Sequence, residues 1–367
     1  MEMKLGKILP LLGALCATAF SSAFASTGSS SYGSAMDSNN ASSGSYQRGT
    51  FREITPAAGP RVAHGADVFV TANFIWWNAK QEGLKFATSA VPASSHATKG
   101  VIEEIKGSWE PGFKVGLGLN LSHDGWDLYT QYTWLNANRD QSISAGSNVI
   151  GSTFQILASD ATITKASGTW DLHFNVIDLE LGRNFYLSQF LTMRPFVGVK
   201  GTWQDQNTQI QYDGSGFHSG ASTISSGPYT IKNQDKSWGL GARAGLNFAY
   251  YMGKNWSVFG NLAWTTLWAD YEKLQRHDVL KDRETNTNTV DVLGENTRDY
   301  AVRYVAESEL GMRWETWFCD DSYHFSVQAG WEQQSWLNWS QIVPVSVNEA
   351  YHDLSLQGLN LKFRFDF

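Results

Sequence analysis

The last nine residues of the chain alternate strictly between two kinds of side chain. Leu or Phe stands at every odd position from Leu359 to Phe367, and a polar or charged residue stands at every even position between them. This alternation predicts a β-strand with two opposite faces, because successive side chains of a strand point to opposite sides of its sheet. In a soluble sandwich the apolar face would point to a core. In a membrane barrel it points to lipid, and the charged face points to a wet lumen.

The other end of the chain predicts export. Lys4 and Lys7 precede an apolar run over residues 8–20, and Ala-Phe-Ala follows at residues 23–25. A positively charged start, a short apolar run and small residues at a cleavage site are typical of a secretory signal peptide, so residues 1–25 are predicted to be removed. The run is too short to span a bilayer, and we do not interpret it as a membrane anchor.

The composition separates two kinds of membrane protein. No segment reaches the roughly 18 consecutive apolar residues that suggest a spanning helix, and the mean hydropathy is −0.31. The chain has 16 Trp, 14 Tyr and 20 Phe, and Trp and Tyr are favoured at membrane interfaces. A chain with no spanning helix can still cross a membrane as a closed β-barrel, in which every backbone group is paired between strands.

The segment before the first alternating stretch has a different character. Residues 26–65 are rich in Ser, Gly, Ala and Asn. Such a segment buries too little apolar area to offset its chain entropy, and we predict a disordered periplasmic arm. An alternative is that a part of it, residues 51–54, enters the lumen as a plug. Residues 66–367 form the predicted barrel.

The alternation of the last strand recurs nine times upstream. Long and short gaps separate the alternating stretches in turn, as in barrels with short periplasmic turns and long extracellular loops. We therefore predict an all-β fold, an antiparallel transmembrane β-barrel of about ten strands, with twelve or more if residues 151–163 or 209–231 hold further strands. In the fourth stretch the apolar phase slips between Val176 and Ile177, which predicts a β-bulge. The stretches cover residues 67–77, 113–122, 126–135, 170–181, 191–203, 238–250, 256–268, 300–314, 323–332 and 359–367.

Aromatic residues fall at both ends of these predicted strands. This register predicts two belts, one at each membrane interface. The outer belt consists of Trp76, Trp134, Trp170, Trp203, Trp238, Trp268 and Tyr300. The inner belt consists of Trp126, Phe185, Tyr250, Trp256, Trp314, Tyr323 and Phe367.

Three stretches follow one another in an informative order. They are residues 61–62 with 74–84 (FIWWNAKQEGL), residues 112–118 (GFKVGLG) and residues 191–198 (LTMRPFVG). With them the chain, from about residue 60 to its end, resembles the pore-forming outer-membrane proteins of the Legionella major outer membrane protein type, also found in chlamydia-related bacteria. The resemblance implies a porin-like channel, an abundant surface protein and no particular catalytic residues. The ending Phe363, Phe365 and Phe367 similarly resembles the C-terminal signal that the barrel-assembly machinery reads.

Charges of both signs fall on the predicted inward faces. Rings of charge that line a pore can set its ion selectivity. Alternatively, opposite charges pair across a narrow lumen and close it, since a barrel of about eight strands is filled by its own side chains. The balance of signs predicts no clear preference for anions or cations. The candidate pore-lining residues are Lys114, Asp127, Arg194, Lys200, Arg243, Arg303, Glu307, Glu309, Arg313, Glu332, Lys362 and Arg364.

The sequence thus predicts an outer-membrane porin-like channel for passive diffusion of small hydrophilic solutes or ions. The alternative is a surface adhesin or structural barrel that acts through its long extracellular loops. A weaker alternative is a hydrolase that would use Asp171 and His173 on a shared inward face, or the His-Asp pairs at residues 277–278 and 352–353. No nucleophile in a recognisable setting accompanies them, so we expect no enzymatic activity.

The expected partners follow from this location. They are outer-membrane lipid and lipopolysaccharide, the barrel-assembly machinery, small solutes or ions, and, as an open alternative, further copies of the chain. No nucleic acid is expected, because the formal net charge is −7. No metal or cofactor is expected, because the eight His show no ligand spacing. After the signal peptide only Cys319 remains, and we expect a free thiol in a short turn.

Overall fold

The structure, a computed structural model, describes residues 57–62, 65–91, 100–107, 109–121, 124–146, 149–154, 161–219, 222–224, 227–281, 288–294, 298–342 and 350–367. The predicted signal peptide and residues 26–56 of the predicted arm lie outside the described residues. The described chain forms ten long antiparallel strands, and the predicted fold class is confirmed. The strands are β1 Val68–Gln81, β2 Trp109–Asn120, β3 Trp126–Ser144, β4 Thr162–Arg183, β5 Leu191–Ser215, β6 Gly227–Tyr251, β7 Trp256–Lys281, β8 Asp299–Phe318, β9 Tyr323–Ile342 and β10 Ala350–Asp366.

The ten strands close into a barrel. Each pairs with the strands before and after it in sequence, and β1 also pairs with β10. Closure removes the unpaired strand edges that a membrane does not tolerate. Following paired residues once around the wall leads from Val68 to Lys80 of the same strand, which is twelve positions further along. This displacement means that the strands are tilted to the barrel axis.

Short strands extend the ends of the long ones without adding to the closed wall. Residues 151–163 and 209–231, where further barrel strands were an alternative, contain the ends of β4, β5 and β6 together with short pieces. Ten strands therefore account for the described wall. The short strands are Lys85–Val91, Val101–Glu104, Val149–Ser152, Phe185–Tyr186, Phe217–Ser219, Ser222–Ile224 and Asn288–Gly294.

The long strands run well beyond the membrane. β5, β6 and β7 have 25, 25 and 26 residues, whereas a tilted transmembrane strand needs about 9–11. The additional residues lie at the end opposite to the short turns, which is the extracellular end by the usual topology of such barrels. We call residues 204–215, 227–237 and 269–281 the extracellular wall. The sequence predicted loops there because the outward faces are polar and the inward faces are mixed, so the apolar alternation is lost.

The outward face of the wall is apolar between two aromatic belts. Trp76 is 47% exposed. Trp268 contacts Trp238 and Tyr300 with ring centroids 5.4 and 5.5 Å apart. At the opposite ends of the strands, the exposed aromatic residues include Tyr250, Trp256 and Tyr323. Both predicted belts are therefore present, with one wrong member.

That wrong member is Trp170, and the β-bulge predicted beside it is also wrong. β3 and β4 pair along all 19 residues of β3 without a register shift. The side chains of Trp170 and Val176 point inward and are buried, whereas that of Ile177 points outward. The apolar phase changes along β4 because its extracellular half is apolar on the lumen side and its periplasmic half is apolar on the lipid side.

The segment before β1 lies across the periplasmic end of the barrel. Ala58 donates its backbone N–H to the carbonyl of Asn184 at 2.9 Å, and Arg61 donates to the carbonyl of Leu121 at 2.5 Å. Pro60 borders the lumen. Residues 51–54, the predicted plug, lie outside the described residues. In the described part of the chain, no helix is long and apolar enough to cross a membrane.

Candidate functional site in the lumen

Paired charges occupy the middle of the lumen. Arg243 donates from Nη1 to Asp178 at 3.0 Å and to Glu307 at 2.9 Å. Lys200 lies between the same two carboxylates, with Nζ 2.8 Å from Asp178 and 3.0 Å from Glu307. The four side chains come from β4, β5, β6 and β8, so these contacts tie four strands together inside the barrel.

Arg194 extends this arrangement toward the periplasm. It donates to Asp127 at 2.5 Å, to Glu180 at 3.0 Å and to Asn247 at 2.8 Å. Its donors therefore meet side chains of β3, β4 and β6. Hydrogen bonds between charged groups are stronger than those between neutral groups. Here they hold the guanidinium of Arg194 between the side chains of three strands.

Neutral amides connect the remaining charges. Lys114 pairs with Glu332 at 2.6 Å. Asn360 donates to Glu332 at 2.9 Å and to Glu309 at 3.1 Å, and it accepts a hydrogen bond from Asn73 at 2.8 Å. Asn73 and Asn360 were not predicted as site residues, because they carry no charge. Their place in the inward phase of the alternation was the signal that could have found them.

We call these charged residues the ionic layer: Lys114, Asp178, Glu180, Lys200, Arg243, Glu307, Glu309 and Glu332. On its periplasmic side, His324 Nδ1 is 2.7 Å from Asp366, and Arg364 pairs with Asp366 at 2.6 Å. The guanidinium of Arg364 lies 3.7 Å from the ring centroid of Phe69. This cluster lies at the periplasmic rim of the barrel, where His324 and Arg364 border the same cavity as Pro60.

A cavity of about 180 Å³ lies among these groups. Ten of the twelve predicted pore-lining residues border it; Lys200 and Arg303 do not. Lys200 is 1% exposed within the ionic layer, and Arg303 donates to the Tyr271 hydroxyl at 2.9 Å above it. That these residues line a conducting path stays a prediction. The ionised side chains that border the cavity are the basic Lys114, Arg194, Arg243, Arg313, Lys362 and Arg364 and the acidic Asp127, Asp178, Glu180, Glu307, Glu309, Glu315 and Glu332.

The lumen changes character above the ionic layer. Phe174 and Trp336 have ring centroids 5.3 Å apart, and Trp336 and Trp339 have centroids 5.1 Å apart. Trp77 and Trp170 belong to the same buried cluster. We call these five residues the aromatic layer; none is more than 1% exposed. The sequence did not predict this layer, because Trp170 and Phe174 alternated with the lipid-facing residues of their strand and Trp336 and Trp339 fell in a predicted loop. Trp77 was on the inward side of its stretch, but nothing marked its partners.

Lysine side chains lie at the boundary between the two layers. Lys114 Nζ is 4.7 Å from the ring centroid of Trp77, and Lys200 Nζ is 5.8 Å from that of Trp336. A cation over an aromatic face is attracted by the ring quadrupole. The two layers are therefore in direct contact.

The extracellular wall holds a buried acid. Asp235 lies three residues beyond Trp238 of the outer belt, outside the membrane-spanning part of β6. It is 5% exposed and accepts the backbone N–H of Gln341 at 3.2 Å. Burial raises the pKa of Asp235 to about 7, Asp205 adds to the rise, and Arg303 opposes it. This carboxyl therefore titrates near neutral pH.

The residues considered for hydrolysis do not come together. Asp171 and His173 point outward on β4, contrary to the prediction of an inward face, since the inward positions are taken by Leu172 and Phe174. Consecutive residues of a strand point to opposite sides, so the pair at 277–278 does not share a face. Among the residues that the structure describes, no group of three or more His, Cys, Asp or Glu is placed to hold a metal ion.

The family described as Legionella pneumophila major outer membrane protein precursor matches residues 60–367. No curated protein matches the chain.

Comparison with solved structures gives distant likenesses. The outer membrane protease OmpT from Escherichia coli is 8% identical, with a TM-score of 0.35, over 83% of this chain and 98% of that one. The P. putida toluene transporter TodX is 9% identical, with a TM-score of 0.31, over 82% and 90%. The attachment invasion locus protein Ail of Yersinia pestis is 7% identical, with a TM-score of 0.22, over 81% and 97%. Likenesses this distant add nothing to the fold described above.

Proposed function

The chain belongs to the Legionella pneumophila major outer membrane protein family, and on this premise we propose that it is a channel for passive diffusion of small hydrophilic solutes or ions. It is an outer-membrane β-barrel by family and fold. The described conformation is the closed state of the proposed channel. The ionic layer and the aromatic layer are two barriers in series along its axis.

The observation that carries this proposal is the charged cavity in the periplasmic half of the lumen. Buried charges are costly to desolvate, and apolar side chains of similar volume often stabilise a protein as well or better. This barrel uses apolar filling in the aromatic layer, so ten strands do not require charges inside. A charged, partly empty half-lumen is the arrangement that a path for hydrophilic solutes needs.

Conduction requires the aromatic layer to rearrange. A hydrophobic constriction blocks ions by excluding water, even where the backbone wall is wide enough. Movement of Trp336 and Trp339, which both lie on β9, would open a route from the cavity to the extracellular side. The two rings contact each other, and Trp336 also contacts Phe174, so their displacement is expected to be concerted.

The charges bordering the cavity predict weak selectivity. Six basic and seven acidic residues, apart from His324, line it. Opposite charges held close together give only a small net potential at the lumen axis. We therefore expect a reversal potential near zero in a salt gradient, with a slight preference for cations.

Single-channel recording in planar bilayers tests the proposal. We expect discrete conductance steps from the full chain without residues 1–25, and a higher open probability from a variant with Trp336→Ala and Trp339→Ala. Lys362→Met removes a basic residue from the cavity wall and should shift the reversal potential further toward cations. Trp331→Ala, on the lipid face, and Lys236→Met, on the extracellular wall, are the matched controls and should leave the current unchanged.

The negative outcome of this experiment needs a control for folding. Heat-modifiable gel mobility reports whether the barrel is folded. Folded protein that never conducts, in the wild type and in the double Trp variant, would exclude a channel.

A second candidate function is favoured by the extracellular wall. β5, β6 and β7 carry the sheet far past the outer belt, and rigid scaffolds are what display binding loops. In this alternative the barrel is a structural protein or adhesin that acts through its extracellular loops. Replacing residues 282–297 by a short Gly-Ser linker would then reduce attachment of expressing cells to host cells without changing the amount of folded barrel.

A further inference from the structure

Three polar side chains form a row on the lumen face of β8, β9 and β10. Arg313 of β8 pairs with Gln328 of β9, which pairs with Lys362 of β10. All three border the cavity. Neighbouring strands are about 4.8 Å apart, so the two cationic side chains leave the wall about 10 Å apart, with the amide between them. We call Arg313, Gln328 and Lys362 the basic row.

The basic row holds hydrogen-bond donors that lack acceptors. Within the described part of the chain, the side chains of Gln328 and Lys362 make no hydrogen bond and no ion pair. Lys362 Nζ lies 5.1 Å from the ring centroid of Tyr129. Arg313 Nε is buried without a partner, and the ion pair of Arg313 with Glu315 is 4.0 Å long. Gln328 is only 7% exposed, and a buried amide without a partner is costly.

Other basic groups that border the cavity have close carboxylate partners. Lys114, Arg194 and Arg243 each pair with a carboxylate, at 2.6, 2.5 and 2.9 Å respectively. Arg364 pairs with Asp366 at 2.6 Å. The basic row therefore differs from these groups, because its positive charge and its donors are left for another acceptor.

Acidic side chains near the basic row are occupied by other donors. Glu309 and Glu180 attract Lys362 without forming an ion pair with it. Glu309 accepts hydrogen bonds from Asn261 at 2.8 Å and from Asn360 at 3.1 Å. Glu180 accepts a hydrogen bond from an arginine of the ionic arrangement at 3.0 Å. These carboxylates therefore leave the donors of the basic row free for a group that enters from solution.

We propose that Arg313, Gln328 and Lys362 bind the phosphate group of a small solute in the periplasmic half of the lumen. The guanidinium fork and the lysine ammonium are both common phosphate ligands, and the glutamine amide supplies a further donor. A phosphate has enough oxygens for three separate donor groups, whereas a carboxylate has two. The cavity of about 180 Å³ also offers the room, because a single water needs only about 15 Å³.

This inference rests on the proposed channel, for which it names a class of solute. Binding can be measured without current, so the two proposals can fail separately. Phosphate binding to a barrel that never conducts would exclude the channel and keep the site. Conductance without phosphate binding would keep the channel and exclude the site. The surplus of donors is local, and the near balance of charge over the whole cavity is unchanged.

Isothermal titration calorimetry of the refolded chain without residues 1–25, in detergent at constant ionic strength, tests the proposal. Inorganic phosphate is expected to bind at one site per chain in the millimolar range, and acetate at least tenfold more weakly. Lys362→Met should weaken phosphate binding at least tenfold. Lys236→Met removes a lysine of the extracellular wall and should leave the binding unchanged. No phosphate binding, equal binding of acetate, or equal losses in the two lysine variants would overturn the proposal.

A second variant separates a built site from diffuse attraction by charge. Gln328→Leu removes the amide and keeps both cations, and Gln333→Leu, on the outward face of the same strand, is its matched control. A built site should lose at least threefold in phosphate affinity with Gln328→Leu and nothing with Gln333→Leu. If both variants bind phosphate as the wild type does, the proposal is wrong. Heat-modifiable gel mobility shows that each variant is folded.

The same titration with glycerol phosphate distinguishes two sources of the phosphate group. Tighter binding than that of inorganic phosphate would assign the site to phosphate esters. Weaker binding would assign it to the free ion.

Discussion

The ionic layer and the aromatic layer occupy the same lumen, on the same strands, and fill it by opposite means. On β4, Asp178 belongs to the ionic layer, and the next inward positions are the apolar Val176 and Phe174. On β9, the change takes place between Glu332 and Trp336. Strand number fixes the width of the barrel, but it does not fix what fills it. Filling the lumen of ten strands therefore does not by itself require charged side chains, and packing alone does not explain the ionic layer.

The two halves also depend on different physics. The aromatic layer is stabilised by removal of apolar area from water and by close contact of large rings, so it is sensitive to lost volume. The ionic layer is stabilised by pairing, so it is sensitive to loss of one partner, whereas joint replacement of partners is tolerated. Variants that change volume and variants that change charge should therefore separate the layers.

Trp336→Ala should cause the strongest destabilisation. Trp336 is 0% exposed and contacts Phe174 and Trp339, and truncating a buried Trp to Ala costs about 3–5 kcal/mol. Urea unfolding of the refolded barrel, followed by Trp fluorescence and by gel mobility, measures the change. Trp331→Ala on the lipid face is the control. An equal loss for both would mean that the aromatic layer is no more tightly packed than the lipid surface.

Lys200→Met should cost slightly less. Lys200 is 1% exposed and pairs with Asp178 and Glu307. Removing one partner of a buried ion pair costs about 3–5 kcal/mol, and the low end of that range is expected because Arg243 still contacts both carboxylates. Unfolding in urea measures the change. Lys236→Met is the matched control: its pair with Asp205 is 3.1 Å long and partly exposed, and such pairs contribute about 0–1 kcal/mol. Similar losses at the two lysines would contradict the picture of a buried, dry ionic layer.

Asn360→Ala tests the neutral amides that connect the carboxylates of the ionic layer. Asn360 is 3% exposed and donates to both Glu309 and Glu332. Loss of these bonds leaves two carboxylates short of a donor, which costs about 2 kcal/mol. The free energy of unfolding should fall by this amount, and adding Glu309→Gln should recover part of it because one uncompensated charge is removed. If the loss of unfolding free energy in the double variant equalled the sum of the losses in the two single variants, Asn360 and Glu309 would act independently.

The buried Asp235 gives the most local effect, confined to the extracellular wall. Its pKa is about 7 in the folded chain and 3.8 in the reference state. The folded state therefore holds this proton more tightly, so its contribution to stability is fully present below about pH 4 and is lost as the pH rises through 7. Between pH 5 and pH 7 the free energy of unfolding should fall by at most about 2 kcal/mol, since one pKa unit corresponds to about 1.4 kcal/mol. In Asp235→Asn this dependence should disappear; stability that rises over the same interval would contradict the assignment.

Much of the fold was predictable from alternation. The ten strands, their order, the closed wall and the short turns all follow from apolar residues at every second position on the lipid face. The lipid-facing side of each strand could be predicted because a side chain in contact with lipid tails needs only to be apolar and requires no particular partner. The inward charges, such as Lys114 and Glu332, could be assigned to the lumen for the same reason.

The same signal failed where the lumen side becomes apolar. Trp170 and Phe174 were assigned to the lipid face, and a bulge was invoked to explain the change of phase at Val176. Alternation reports that one face is apolar but not which neighbour that face meets. Beyond the outer belt the strands no longer contact lipid, and the alternation of apolar and polar residues did not predict the extensions of β5, β6 and β7. The same alternation placed Asp171 and His173 on the inward face of β4, whereas they point outward.

The sequence by itself determined the membrane-spanning barrel, its strand order and the sign of the charges that point inside, because these depend on each residue's own chemistry and its parity along a strand. Only the tertiary structure decided which charges meet, that Asn73 and Asn360 join them, and that an aromatic layer fills the lumen above. Those contacts join residues far apart in sequence, such as Lys114 and Glu332. Their partners are set by the tilt and register with which the wall closes, and no local pattern contains that information.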